Sequence, residues 1–155
     1  METRLDYQKA FPEGVQGMRH LEAIVRRSGI EPSLYELVKI RASQINGCAY
    51  CIDMHTKDAR ANGETEQRIY ALSAWRETPF FTDRERAALA WTEAITNIQD
   101  GHAPDEVYGQ ALLQFSEEEL VKLTFAITQI NSWNRIAIAF RAEVGSYQPT
   151  AAAHK

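Results

Sequence analysis

Helix punctuation constrains this chain more than any other feature. Two stretches, Thr82-Asp83-Arg84-Glu85 and Ser116-Glu117-Glu118-Glu119, each set a hydroxyl residue three positions before a glutamate at the head of an apolar run. In that arrangement the hydroxyl caps the first free N–H groups of a helix and the glutamate reaches back to the cap. The first box opens a helix carrying Ala88, Leu89, Trp91, Ile95 and Ile98. The second opens a long final helix carrying Leu120, Leu123, Ile127, Ile130, Trp133 and Ile138. Further upstream, a helix is expected from near Pro12 to Arg27. A second opens at Glu31-Pro32-Ser33, where proline suits a first turn, and stops around Asn46-Gly47. A third holds Cys48 and ends at Asn62-Gly63, a fourth runs from Glu64 to Trp75, and a short one runs from Ala103-Pro104 through Leu113. No stretch alternates apolar and polar residues between turn signals, so no strand is expected.

The pattern predicts an all-α domain of about seven helices over residues 1–147, with a frayed tail over 148–155. The last helix, LVKLTFAITQINSWNRIAIAF, is apolar around much of its circumference. A helix of that kind is central or packs against another subunit, which points to a homo-oligomer. The 155 residues suit one domain, and a net charge of −4 gives no basic footprint for nucleic acid. Scattered Lys and Arg at helical spacing read as solvated faces. Trp75, Trp91 and Trp133 read as core or interface, and Asn131, Asn134 and Arg135 as loop caps or pocket lining. No apolar run reaches the ~18 residues of a membrane span. The opening METRLDYQKAFPEG lacks the apolar segment of a secretory leader. A cytoplasmic location is therefore expected, where a close cysteine pair is catalytic or metal-binding more often than a structural disulfide.

The chemistry concentrates in NGCAYCIDMH, which holds both cysteines of the chain, Cys48 and Cys51, and His55. On one helix these positions fall at i, i+3 and i+7, on one face. Cys48 would sit in the first turn, where free N–H groups favour a thiolate. His55, one turn beyond Cys51, can take a thiol proton. The residues alone leave three readings open: a redox dithiol, a Cys/Cys/His metal site, or two small buried residues near a histidine. A closed zinc site needs a fourth ligand, and His20, His102 and His154 are isolated in sequence.

The stretch ELVKIRASQINGCAYCIDMHTKDARANGET resembles the carboxymuconolactone decarboxylase superfamily, and within it the AhpD-like alkylhydroperoxidases. The matching signature is Glu36, then Cys48-x-x-Cys51, then His55. The resemblance runs from about residue 20 to about 145 and includes INSWNRIAIAF. It implies an AhpD-like all-helical fold, assembly into trimers or hexamers, and peroxidase-like dithiol chemistry without metal, haem or other cofactor. By that analogy Cys51 attacks a hydroperoxide, Cys48 closes a disulfide, and His55 with Glu36 relays protons. A lipoyl or thioredoxin type of reductant restores the thiols. Tyr50 departs from the AhpD pattern, which has a histidine there. With an unperturbed pKa of ~10, Tyr50 can donate a hydrogen bond but is a poor base, so its role is at most accessory. The superfamily's lactone decarboxylases lack the cysteine pair, which argues against decarboxylation. A redox sensor without turnover, or a zinc protein, are the alternatives.

Overall fold

The computed structural model describes residues 2–149, so residues 150–155 of the expected tail lie outside the described residues. The elements are α1 (Tyr7–Ala10), α2 (Pro12–Arg26), α3 (Pro32–Asn46), α4 (Ala49–Ala61), α5 (Glu66–Ala71), a 3₁₀ turn (Leu72–Glu77), α6 (Asp83–Thr96), α7 (Asp105–Leu112) and α8 (Glu117–Phe140). No strand occurs among the described residues. Both expected capping boxes form, at Thr82 with Glu85 and at Ser116 with Glu119.

The helix at the centre is α3. It packs against α4, α6 and α8. It buries Leu34, Tyr35, Glu36, Leu37, Val38, Lys39, Ile40, Ala42 and Ser43, so its middle is enclosed on every side. Leu34 and Val38 join Ala88 and Trp91 of α6, Phe115, and Leu120, Leu123 and Ile127 of α8 in one core cluster. Leu37 and Ile40 join Ala59, Ile69, Leu72, Trp75, Phe81 and Leu89 in another. Helix α8 buries one face and leaves Val121, Phe125 and Ile138 exposed. The apolar circumference of α8 is thus divided between the core and an open face, and the helix enclosed on every side is α3, which carries charges.

Two local expectations shift. A one-turn helix, α1, precedes α2, capped by the Asp6 carboxylate accepting from the N–H groups of Gln8 and Lys9. One turn is too short to show apolar periodicity. It sets the Tyr7 ring 5.9 Å from Phe140 at the end of α8. The fourth expected helix breaks into α5 and the 3₁₀ turn, where Ala74 leaves helical geometry at φ −118° and ψ 29°. In 3₁₀ geometry residues three apart eclipse, and Leu72 and Trp75 thereby both reach the core.

Core burial predicts the stability pattern on α8. Leu123→Ala should cost roughly 2–5 kcal/mol, since the side chain is enclosed by three helices. Val121→Ala, two residues away and exposed, should change stability by no more than about 0.5 kcal/mol. Urea unfolding of the two variants tests the difference.

Candidate active site

The site is built on the junction between α3 and α4. Gly47 ends α3 in the left-handed region at φ 69°, where a side chain would be strained. The Cys48 N–H then donates to the Ser43 carbonyl at 2.9 Å, the reversal that commonly ends a helix. Cys48 immediately becomes the cap residue of α4, with extended geometry, and its carbonyl accepts from Ile52 N–H at 2.9 Å. The expectation that Cys48 lies inside the helix is thus corrected by one residue, because Gly47 consumes the turn and α4 begins at Ala49. Cys51 and His55 lie on α4 proper, one turn apart.

Each of the four signature residues is at most 2% exposed. The Cys48 and Cys51 sulfurs are 2.8 Å apart, and both thiols are free. That is a hydrogen-bonding contact, longer than the ~2.05 Å of a disulfide, from which the bond can close with little movement. His55 Nδ1 lies 2.9 Å from Glu36 Oε2, so α3 supplies the carboxylate that orients the imidazole of α4. With Nδ1–H donating to that carboxylate, the tautomer leaves Nε2 as the basic nitrogen.

Helix α8 closes the third side. Asn134, fully buried, donates from Nδ2 to Ser43 Oγ at 3.0 Å and accepts at Oδ1 from Asn46 Nδ2 at 2.8 Å. Asn131 accepts from the same Asn46 amide at 2.9 Å. These contacts lock the α3 end and the cysteine turn to α8. Asn134 thus braces the turn that carries the cysteines.

Electrostatics divide the two thiols. The hydrogen bond from Cys51 holds the Cys48 pKa down against the penalty of burial, helped by the backbone N–H groups of Cys51 and Tyr50 and by Asn134. Cys48 makes no capping hydrogen bond with normal geometry, so those N–H groups act as dipoles. The same contact with Cys48, together with burial, pushes the Cys51 thiol up, while Asn134 and Lys39 oppose the rise. In the singly ionised pair the charge therefore rests on Cys48 and the proton on Cys51. Burial also pushes the Tyr50 hydroxyl up, which keeps it a donor.

Lys39 corrects the reading of lysines as solvated faces. It is fully buried one turn after Glu36. Its Nζ donates to Glu22 Oε1 of α2 at 3.0 Å and sits 4.1 Å from the centre of the Tyr35 ring. Burial drives its pKa down, with Glu22 and Glu36 opposing. Burial alone would raise Glu22, but Lys39 outweighs it and holds the carboxyl below its ordinary range. The available signal was the run LYELVKI, apolar on every face around Glu36 and Lys39.

Two clefts reach the sulfurs. A narrow one of about 180 Å³ is lined by Cys51, Tyr50, Met54 and Trp133, with Tyr7 and Glu22 among its other walls. The Trp133 Nε1 there has no hydrogen-bond partner. A wider one of about 470 Å³ is lined by Cys48, Gly47, Ala49, Ile138 and Arg141 among others. Glu36 lines a third cleft of about 190 Å³ with Ser33, Asn62 and Arg68. Among the described residues, the grouping with metal-ligand proximity is Glu36, His55 and Asp58, within 4.8 Å of one another, and the cysteines are not part of it. Its Glu36 and His55 atoms already face each other, and Asp58 accepts from Tyr147 Oη at 2.7 Å. This donor set does not fit the expected alternative of a cysteine-ligated zinc ion. No helix among the described residues is long and apolar enough to cross a membrane.

The sequence and the fold have counterparts in known proteins. The carboxymuconolactone decarboxylase family matches residues 12–94. The uncharacterized protein YdfG of Bacillus subtilis is 50% identical over 139 residues, 90% of this chain and 95% of its own. The crystal structure of ATU0492 from Agrobacterium tumefaciens superposes with a TM-score of 0.91 at 46% identity, covering 94% of this chain and all of that one. That protein is described as of unknown function, with a suggested AhpD role in antioxidant defence. The alkyl hydroperoxide reductase AhpD of Acidobacterium capsulatum is 40% identical over 47 residues, 30% of this chain and 26% of its own.

Two predictions follow the buried charges. Burial pushes His55 below its ordinary pKa of ~6.5, despite Glu36. The unfolded chain then binds a proton that the folded one refuses. Stability from His55 is full above pH ~6.5 and falls as pH drops through the window below it, by up to about 1.4 kcal/mol per pH unit. Urea titrations between pH 8 and 5 should show this slope, and His55→Gln should flatten it. Glu22→Gln should destabilise more than Lys39→Met, because it strands a buried cation. Losing one partner of a buried pair costs roughly 3–5 kcal/mol, and the quarter exposure of Glu22 places this case at the low end. The opposite order in urea unfolding would count against a charged Lys39.

Proposed function

The chain belongs to the carboxymuconolactone decarboxylase family, in its AhpD-like branch, and we propose that it is a dithiol oxidoreductase that reduces organic hydroperoxides. The observation that carries this reading is a pair of free sulfurs 2.8 Å apart on a helix whose next turn presents a carboxylate-oriented histidine. A dithiol of this kind accepts two electrons as one disulfide. A lactone decarboxylase has no use for it.

The hydroperoxide enters the narrow cleft and meets Cys51. The Cys51 proton passes to His55 Nε2 through a solvent molecule, the imidazolium being stabilised by Glu36. Lys39 nearby favours the new thiolate. The sulfur attacks the terminal peroxide oxygen and the O–O bond breaks. Cys51 becomes a sulfenic acid, and the alkoxide takes the proton back from His55 and leaves as alcohol. The Cys48 thiol, whose ionisation its cap position favours, then gives its proton to His55 Nε2 and attacks the Cys51 sulfur as a thiolate, and the expelled hydroxyl takes that proton and leaves as water. The sum is ROOH plus two thiols giving ROH, water and one disulfide. Glu36 also lines the third cleft, which connects the relay to solvent away from the substrate. Tyr50, held protonated, donates to the peroxide or the leaving oxygen. An external dithiol then reopens the disulfide.

Assembly fits the same proposal. An apolar groove of about 810 Å³ runs between α2 and α8, lined by Leu21, Ile24, Val121 and Phe125 and rimmed by Arg27, Glu117, Glu118 and Lys122. A second copy of the chain is the occupant we assign to it, with trimers or hexamers as the closed forms.

The test is a peroxide-consumption assay on reduced protein with a panel of hydroperoxides. Cys51→Ser should consume none. Cys48→Ser should consume about one equivalent and retain a sulfenic acid that dimedone traps. Glu36→Gln should slow the oxidation step by roughly 10²-fold, the lower range for general acid–base help. Undiminished turnover in the double Cys→Ser protein would end the proposal.

A further inference from the structure

The two sulfurs lie in contact but open onto different clefts. Cys51 lines the narrow one and Cys48 the wide one, and Tyr50 and Ala137 line both. Each cysteine is 1% exposed, so a reagent reaches either sulfur only through its own cleft. The two spaces differ in size. Ligand pockets usually measure roughly 300–1,000 Å³. The Cys48 cleft, at about 470 Å³, falls in that range, and the Cys51 cleft, at about 180 Å³, falls below it.

We propose that the wide cleft at Cys48 is the docking site of the reductant, a dithiol carried on an aliphatic arm, and that the oxidising and reducing half-reactions use separate entrances. This inference rests on the disulfide of the proposed function. Thiol–disulfide exchange proceeds by attack of a thiolate on one sulfur, in line with the bond to the other. In the oxidised protein, an attacker in the wide cleft meets Cys48, the sulfur that lines it. Its sulfur bonds to Cys48, the Cys48–Cys51 bond breaks, and Cys51 leaves as a thiolate that takes a proton from the His55 side. The second thiolate of the reductant then attacks the first, releases Cys48 as a thiolate, and departs as a cyclic or linear disulfide. Two electrons pass from the dithiol to the protein and no other reactant is needed.

Thiolate stability alone would favour the reverse. Cys48 is the better leaving group, which directs attack to Cys51. Access opposes that preference. A dithiol entering at Cys51 must pass Tyr7, Tyr50, Met54 and Trp133 in the smaller space. The wide cleft is walled by small or aliphatic side chains, including Ala49, Ala137, Ala142, Ile138 and Val144. These suit an alkyl arm. Arg141, held in the left-handed region at φ 55° at the end of α8, and Glu143 place one charge of each sign on this cleft, which suits an uncharged polar terminus such as an amide.

Ala49 and Ile138 are exposed, so tryptophan at either position narrows the wide cleft without entering the core. Gln8 is the exposed counterpart on the narrow cleft. The two half-reactions are measured separately. Protein oxidised with diamide, which forms the disulfide without any peroxide, is reduced by dihydrolipoamide. Reduced protein is oxidised by cumene hydroperoxide in a single turnover. Ala49→Trp and Ile138→Trp should slow reduction by dihydrolipoamide at least tenfold and change the ratio of the two half-reactions by a similar factor. Gln8→Trp should shift that ratio the other way. Reduction slowed by Gln8→Trp and not by the other two would overturn the assignment, as would equal slowing of both half-reactions or no effect in any variant. A protein inert to every hydroperoxide would defeat the proposed function yet leave the reductive result to be read from the diamide-oxidised form.

Discussion

A carboxylate and an imidazole, both shut away from water, face each other at 2.9 Å between α3 and α4. Isolated, either group would resist burial in its charged form. Placed together they satisfy each other by a hydrogen bond, and Lys39, one turn from Glu36, is the cation that the core encloses beside them. The rest of the fold reads as the enclosure this set needs. Helix α3 is surrounded by α4, α6 and α8, and α2 adds Glu22 to balance Lys39. Charge at the centre of a small domain lowers stability unless it is paired. Its presence there supports the proposal that the centre does chemistry.

The junction at Gly47 and Cys48 converts that enclosed charge into a site. Because the reversal uses a single left-handed residue, α4 starts almost at once and Cys48 stands at its head. A longer loop would carry the first sulfur away from the second. The asparagines of α8 hold this short turn from the other side, through contacts of 2.8 and 2.9 Å to Asn46. Backbone geometry, not only the spacing Cys-x-x-Cys, thus brings the two sulfurs into contact.

Most of the fold was legible because helices announce their ends. The capping boxes at Thr82 and Ser116, the prolines at 12 and 32, and the glycines at 47 and 63 fell where the structure has boundaries. What escaped were elements too short to be periodic, such as α1, and the 3₁₀ turn that replaces the end of one expected helix. Cys48, Cys51 and His55 were singled out by their spacing and Glu36 by the family resemblance, and the structure pairs Cys48 with Cys51 and Glu36 with His55. Lys39 and Glu22 were not. A buried lysine and a surface lysine look alike in sequence, and the partner that neutralises this one lies 17 positions away on another helix. The wide apolar face of α8 was legible only as an amount, since periodicity records how much of a helix is apolar but not what covers it.

Tyr50 joins these threads. As a base it has little to offer, since burial pushes its hydroxyl up. As a wall it touches both clefts, with Cys51 on one and Cys48 on the other. A histidine at this position would bring a second titrating group to the thiols and leave less bulk between the two spaces. In the proposed mechanism a tyrosine leaves the proton work to His55 and Glu36 and contributes shape. The departure at residue 50 therefore points away from a lost catalytic group and toward a site in which acid–base chemistry and access are assigned to different residues.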